Sequence, residues 1–112
     1  MKAYQMRPHR AEPLIGIADY YVAIDCMDSA FLFARRAAEM DYPIKDSLFV
    51  EKYLYTYYRY ELLARCAWYI NQHAIGAVAA YKAYQAYPDY KYAKINKQCY
   101  DSWQQTINAK AA

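Results

Sequence analysis

Few side chains in this chain are of a type and spacing that do chemistry. The only imidazoles are His9 and His73. His73 falls at a helix turn, where an imidazole caps carbonyl groups or meets solvent, and no acid–base partner is implied for it by position. Asp19, Asp25 and Asp28 share one stretch, and Asp25 and Asp28 can face each other, yet Asp28 reads better as a helix cap. Neither Glu-x-x-His nor His-Glu-x-x-His occurs, which argues against di-iron and zinc-protease chemistry. Gly16 and Gly76 are the only glycines, too few for a phosphate-cradling loop. Ser29, Ser47 and Ser102 fall at helix starts or within a helix, outside any nucleophile elbow. Cys26, Cys66 and Cys99 are odd in number and widely spaced, so they are read as buried free thiols in a reducing cytoplasm rather than a disulfide framework or zinc site. The expectation is a chain that is not an enzyme, with no catalytic residues, no cofactor and no metal.

Tyrosine is the remaining signal. There are 16 of them among 112 residues. They explain why the chain is 58% hydrophobic by one count and still has a mean hydropathy of −0.33. A buried phenol needs a partner for its O–H, so Tyr20, Tyr53, Tyr57, Tyr81, Tyr84 and Tyr87 are not all expected in the core. Tyrosine suits interfaces, where one end is apolar and the other wet. Tyr53, Tyr57, Tyr81 and Tyr84 are the candidate binding residues, because the repeat pattern below does not itself demand an aromatic there.

Other classes are excluded by composition. The net charge of +3 is too small to indicate nucleic acid, and Lys91, Lys94 and Lys97 recur at helical spacing as one solvated face. No apolar run is long enough to cross a bilayer, and residues 1–10 lack the apolar stretch of a secretion signal, so a cytoplasmic location is expected.

The elements that must position these residues read as helices in a single domain. After a lead-in over 1–10, Pro13 suits a first turn, and Leu14, Ile17, Ala18 and Tyr21 keep the spacing of one buried face over about 12–26. Asp28 or Ser29 is expected to cap a second helix, 29–41, which stops at Asp41-Tyr42-Pro43. A loop over 42–47 offers Asp46 or Ser47 as the next cap. Tyr53 to Tyr60 has strand-like composition, yet it runs without a turn residue into the strongly helix-forming Glu61 to Trp68 and is read as helix. Asn71-Gln72-His73 turns the chain into a helix over 74–87 that ends before Pro88. Asp89 can cap a last helix, 90–108.

The chain also repeats itself. With Leu14 set against Tyr60, the same offset pairs Ile17 with Leu63, Ala18 with Ala64, Ala30 with Gly76, Ala34 with Ala80 and Ala37 with Ala83. Small residues at matched positions let two helices approach closely while larger neighbours fill the grooves. This spacing resembles the tetratricopeptide repeat, with Ala18, Ala30, Ala37 and Ala64, Gly76, Ala83 at its small positions and Pro88 ending a second helix. The offset exceeds the family's 34 or so, which places about a dozen inserted residues around 42–54.

A second resemblance lies in Met6-Arg7-Pro8-His9-Arg10-Ala11-Glu12-Pro13-Leu14, in Ala30 to Ala37, in Tyr42-Pro43, in Asp46 to Val50 and in Tyr55 to Tyr58. In order and spacing these segments resemble the helical-repeat region that follows the catalytic domain in some family-two-type glycosyltransferases. That resemblance implies a scaffold beside an enzyme, and no Asp-x-Asp motif is present to carry sugar transfer over.

The expected fold is therefore all-α: two antiparallel tetratricopeptide-like hairpins, 12–41 and 48–87, followed by a capping helix, 89–108. The expected function is a non-catalytic interaction or scaffold module with a tyrosine-rich surface. Its partner would be a protein or peptide, a glycosyltransferase and copies of the chain itself among the candidates. The alternatives are a glycan-binding accessory of a separate glycosyltransferase and a structural subunit of a larger assembly.

Overall fold

In the computed structural model the described residues are 11–41 and 52–111, and all of their regular structure is helical. The helices are α1 (Glu12–Ala23), α2 (Met27–Glu39), α3 (Arg59–Tyr69), α4 (His73–Ala86) and α5 (Lys91–Ala111). A π-helical turn, Leu54–Tyr58, leads directly into α3. The expected lead-in, the 42–47 loop and the Asp46 or Ser47 cap lie outside the described residues. The ambiguous tyrosine stretch is helical, as read, but its turns are wider than those of an α-helix.

The chain packs in order, α1 on α2, α2 on α3, α3 on α4 and α4 on α5, with smaller contacts of α1 and α5 to α3. Ala18, Ala30, Ala34, Ala37, Ala64, Ala80 and Ala83 are all buried, as is Gly76. Small residues therefore lie where the helices meet, and Leu14, Ile15, Phe31, Leu62 and Leu63 fill the remaining core.

The turns that close α1/α2 and α3/α4 match. Asp25 and Asn71 have φ of 60° and 62°, the left-handed conformation that Asp and Asn tolerate better than other non-glycine residues. Cys26 N–H donates to the Tyr21 carbonyl at 2.8 Å, and Gln72 N–H to the Ala67 carbonyl at 2.9 Å. Each is the six-to-one bond of a Schellman ending. Ala30 and Gly76 N–H then donate to the Cys26 and Gln72 carbonyls, both at 3.0 Å. Every one of these pairs keeps the offset that sets Leu14 against Tyr60.

Several local expectations are corrected. The first helix ends at Ala23 rather than 26, because the Asp25 turn stops it. Asp28 and Ser29 do not cap α2: the helix begins at Met27, Cys26 is the cap residue, and no side chain bonds there. Asp89 precedes the α5 cap, since the Tyr90 carbonyl accepts the first bond, from Lys94 N–H at 3.1 Å. Of the thiols only Cys66 is buried, and burial raises its pKa to about 11; Cys26 and Cys99 are exposed.

Two tyrosine hydroxyls tie the π-turn to α1 through three long-range hydrogen bonds. The Tyr55 hydroxyl accepts the Ala11 N–H at 2.7 Å and donates to Glu12 Oε1 at 2.6 Å. It thereby pairs the backbone N–H of the N-cap residue, which has no partner within the helix. The Tyr58 hydroxyl donates to Asp19 Oδ1 at 2.7 Å.

Candidate functional site

The four candidate tyrosines fall into two separate pairs. Tyr53 and Tyr57 lie 5.4 Å apart in a cluster with Tyr58, Tyr87 and Tyr90, whose tightest contact is the stacked Tyr87–Tyr90 pair at 4.7 Å. Tyr57 is 1% exposed and presents no surface to a partner. The π-turn points its ring inward, and its hydroxyl donates to Glu61 Oε1 at 3.1 Å. Burial, and then the Glu61 carboxylate, hold this phenol protonated well above the ordinary tyrosine range. Tyr53 lies at the edge of the cluster and is exposed. Tyr81 and Tyr84 sit on α4. Tyr81 is 54% exposed, and Tyr84 is half-buried beneath the Lys97 ammonium, which stands 5.1 Å from its ring.

Two concave features lie away from the four candidate tyrosines. The first is a groove of about 360 Å³ across α2, α3 and α4. Its floor is Tyr60, Leu63, Ile75 and Ala79, and Val78, 58% exposed, stands at its edge. Charges of both signs rim it. Arg35 and Glu39 pair at 3.5 Å on α2, and Lys82 on α4 lies 5.3 Å from the Tyr60 ring. One signal for this groove was present in the sequence. Besides the small residues that face α3, α4 carries Ile75, Val78 and Tyr81, and a helix apolar on more than one face needs a second apolar neighbour.

The second feature is an aromatic cleft between the end of α3 and the middle of α5. Trp68 lies 4.6 Å from His73, and His73 stacks on Trp103 at 5.2 Å and 25°. Tyr100 meets Trp68 edge-on at 5.1 Å, and its hydroxyl donates to the Ala64 carbonyl at 2.5 Å. Gly76 makes that reach possible, since a β-carbon there would stand 2.0 Å from the phenol oxygen. His73 is thus neither a carbonyl cap nor a free surface imidazole. It is the first residue of α4 and a spacer between two indoles, because the α3/α4 turn ends one residue earlier than expected.

Elsewhere the buried charges are matched. Glu61 accepts from Tyr57 and, at 2.7 Å, from Arg65. Arg59 gives its N–H groups to the carbonyls of Tyr55, Ala37 and Met40 and to the Tyr60 hydroxyl. Among the described residues no group of three or more His, Cys, Asp or Glu side chains is placed to hold a metal ion, and no helix is long and apolar enough to cross a membrane. No family model, no curated protein and no solved structure matches this chain.

Proposed function

We propose that this chain is a non-catalytic module of tetratricopeptide-like hairpins, and that it holds a segment of a partner protein in the groove across α2, α3 and α4. The observation that carries this reading is the groove itself: an apolar floor, Val78 exposed at its edge, and Arg35, Glu39 and Lys82 at its rim. Such a surface suits a short segment that inserts one or two apolar side chains and matches charge around them. The equivalent turns and the buried small residues support the hairpin assignment, because they give both helix pairs one backbone design.

None of the four candidate tyrosines lines the groove, and Tyr81 neighbours it in the chain, one residue from Lys82 and three from Val78. Tyr57 acts from beneath the surface, fixing the π-turn through Glu61. Selecting a peptide library against the chain and measuring the winners by calorimetry tests the proposal. Val78→Asp should weaken binding about tenfold or more with the helical circular dichroism unchanged, and Tyr20→Ala, on α1, should leave it alone. Selected peptides that bind Val78→Asp and the parent chain equally would reject the groove.

A further inference from the structure

We propose that the cleft between α3 and α5 is a binding site for neutral carbohydrate. It shares no lining residue with the α2–α4 groove, so the two stand or fall separately.

The argument begins with what faces the cleft. Its wider part, about 520 Å³, is lined by Trp68, His73 and Trp103 and by Gln98, Ser102 and Thr106. A narrower part of about 210 Å³ continues past Trp68 and Cys99 to Tyr69, Ile95 and Asn96. The wider part alone falls in the size range of small-molecule sites. Gln98, Ser102 and Thr106 follow one another at four-residue spacing on α5, so the helix presents a single uncharged polar stripe beside Trp103 in the same cleft.

That combination constrains the ligand. A purely apolar occupant would strip water from Gln98 and Ser102 and offer nothing back, which costs free energy. An ionic occupant finds no free fixed charge, because Arg65, the one permanently charged side chain lining the cleft, is already paired with Glu61 at 2.7 Å. What fits is a neutral molecule with an apolar face and a hydroxyl-bearing edge. A pyranose ring is built this way: its C–H face is attracted to the negative face of an aromatic ring, and its equatorial hydroxyls reach amides and hydroxyls. A flat nucleobase fits less well. Trp68 and His73 are inclined at 57°, so these rings form no parallel-walled slot in which a base could be sandwiched.

The rings are also held in place before any ligand arrives. Trp103 is stacked on His73, and Trp68 rests on the edge of Tyr100, which is anchored to the Ala64 carbonyl over the bare backbone of Gly76. Rigid rings lower the ordering cost of binding.

The test uses the chain's own reporters. Trp68 and Trp103 are its only tryptophans, and both line this cleft, so indole emission reads the site directly. The probes are maltohexaose, cellohexaose, hexa-N-acetylchitohexaose and xylohexaose, with adenosine and a hyaluronan hexasaccharide as controls. At least one neutral hexasaccharide should give a saturable emission change below about 10 mM, and the controls should not. Gln98→Ala and Ser102→Ala remove exposed side chains and should each weaken that response by about fivefold, the scale of one lost hydrogen bond. Three outcomes would overturn the proposal: no saturable response to any of the four sugars, a response unchanged in both variants, or tighter binding of adenosine or of the anionic sugar.

Discussion

Arg59 donates from Nε to the carbonyl oxygen of Tyr55 at 2.7 Å, replacing with its side chain the bond its backbone would make in a regular α-helix. The Arg59 backbone N–H instead reaches Leu54, five residues back, as the π-turn requires. The same guanidinium caps the end of α2 by donating to the carbonyls of Ala37, at 3.0 Å, and Met40. One buried side chain thus satisfies the wide turn and joins the two helix pairs.

Arg59→Met should accordingly cost about 3 kcal/mol, since several buried or half-buried carbonyls lose a donor worth about 1–3 kcal/mol each. Arg59→Lys should recover only part of this, because an ammonium cannot reproduce the guanidinium fork. Urea denaturation midpoints check both.

The two glycines should respond in opposite directions to alanine. A β-carbon at Gly76 would stand 2.0 Å from the Tyr100 hydroxyl and 2.5 Å from its ring, whereas one at Gly16 meets nothing within 4 Å. Gly76→Ala should cost about 1–3 kcal/mol by overpacking, despite the gain in helix propensity. Gly16→Ala, on an exposed helix face, should stabilise by about 1 kcal/mol. Thermal unfolding of the pair measures both, and a stabilised Gly76→Ala would mean that Tyr100 does not occupy this position.

Asn71 carries the left-handed residue of the α3/α4 turn. Asn71→Ala should lose about 1–2 kcal/mol, because a β-carbon without a local polar partner is disfavoured in that conformation, while Asn71→Gly should not. Equal stability of the two variants, measured in denaturant, would contradict the assigned turn.

Alkali should unfold the chain from a definite starting point. Burial, and then the hydrogen bond to Asp19, raise the Tyr58 pKa from 10.0 to about 12. A folded-state pKa above the unfolded value contributes stability in full below pH 10.0, and that contribution is lost as pH rises toward about 12. Tyr57 and Tyr100 are shifted in the same direction, chiefly by burial. Unfolding free energy should therefore fall across that window, with part of the phenolate absorbance appearing only as the helical signal is lost. Tyr58→Phe should flatten part of the slope.

By itself, the sequence determined the helical class and much of the register. Pro13 and Pro88 bound helices, the small residues recur at one offset, and those positions are buried because only small side chains let neighbouring helices come close. The fate of the tyrosines was not decided at that level. Tyr57 and Tyr81 are alike in local sequence terms, since tyrosine is amphipathic and fits a core or a surface equally. Tyr55 and Tyr57, two residues apart on the π-turn, are both buried because packed helices cover two sides of that turn and form two separate clusters there, and the turn itself is held by Arg59 meeting carbonyls about 20 residues away. The aromatic cleft was hidden for the same reason. Trp68, His73 and Trp103 belong to three different helices, and only the packing of α5 over the bare backbone at Gly76 sets their rings against one another.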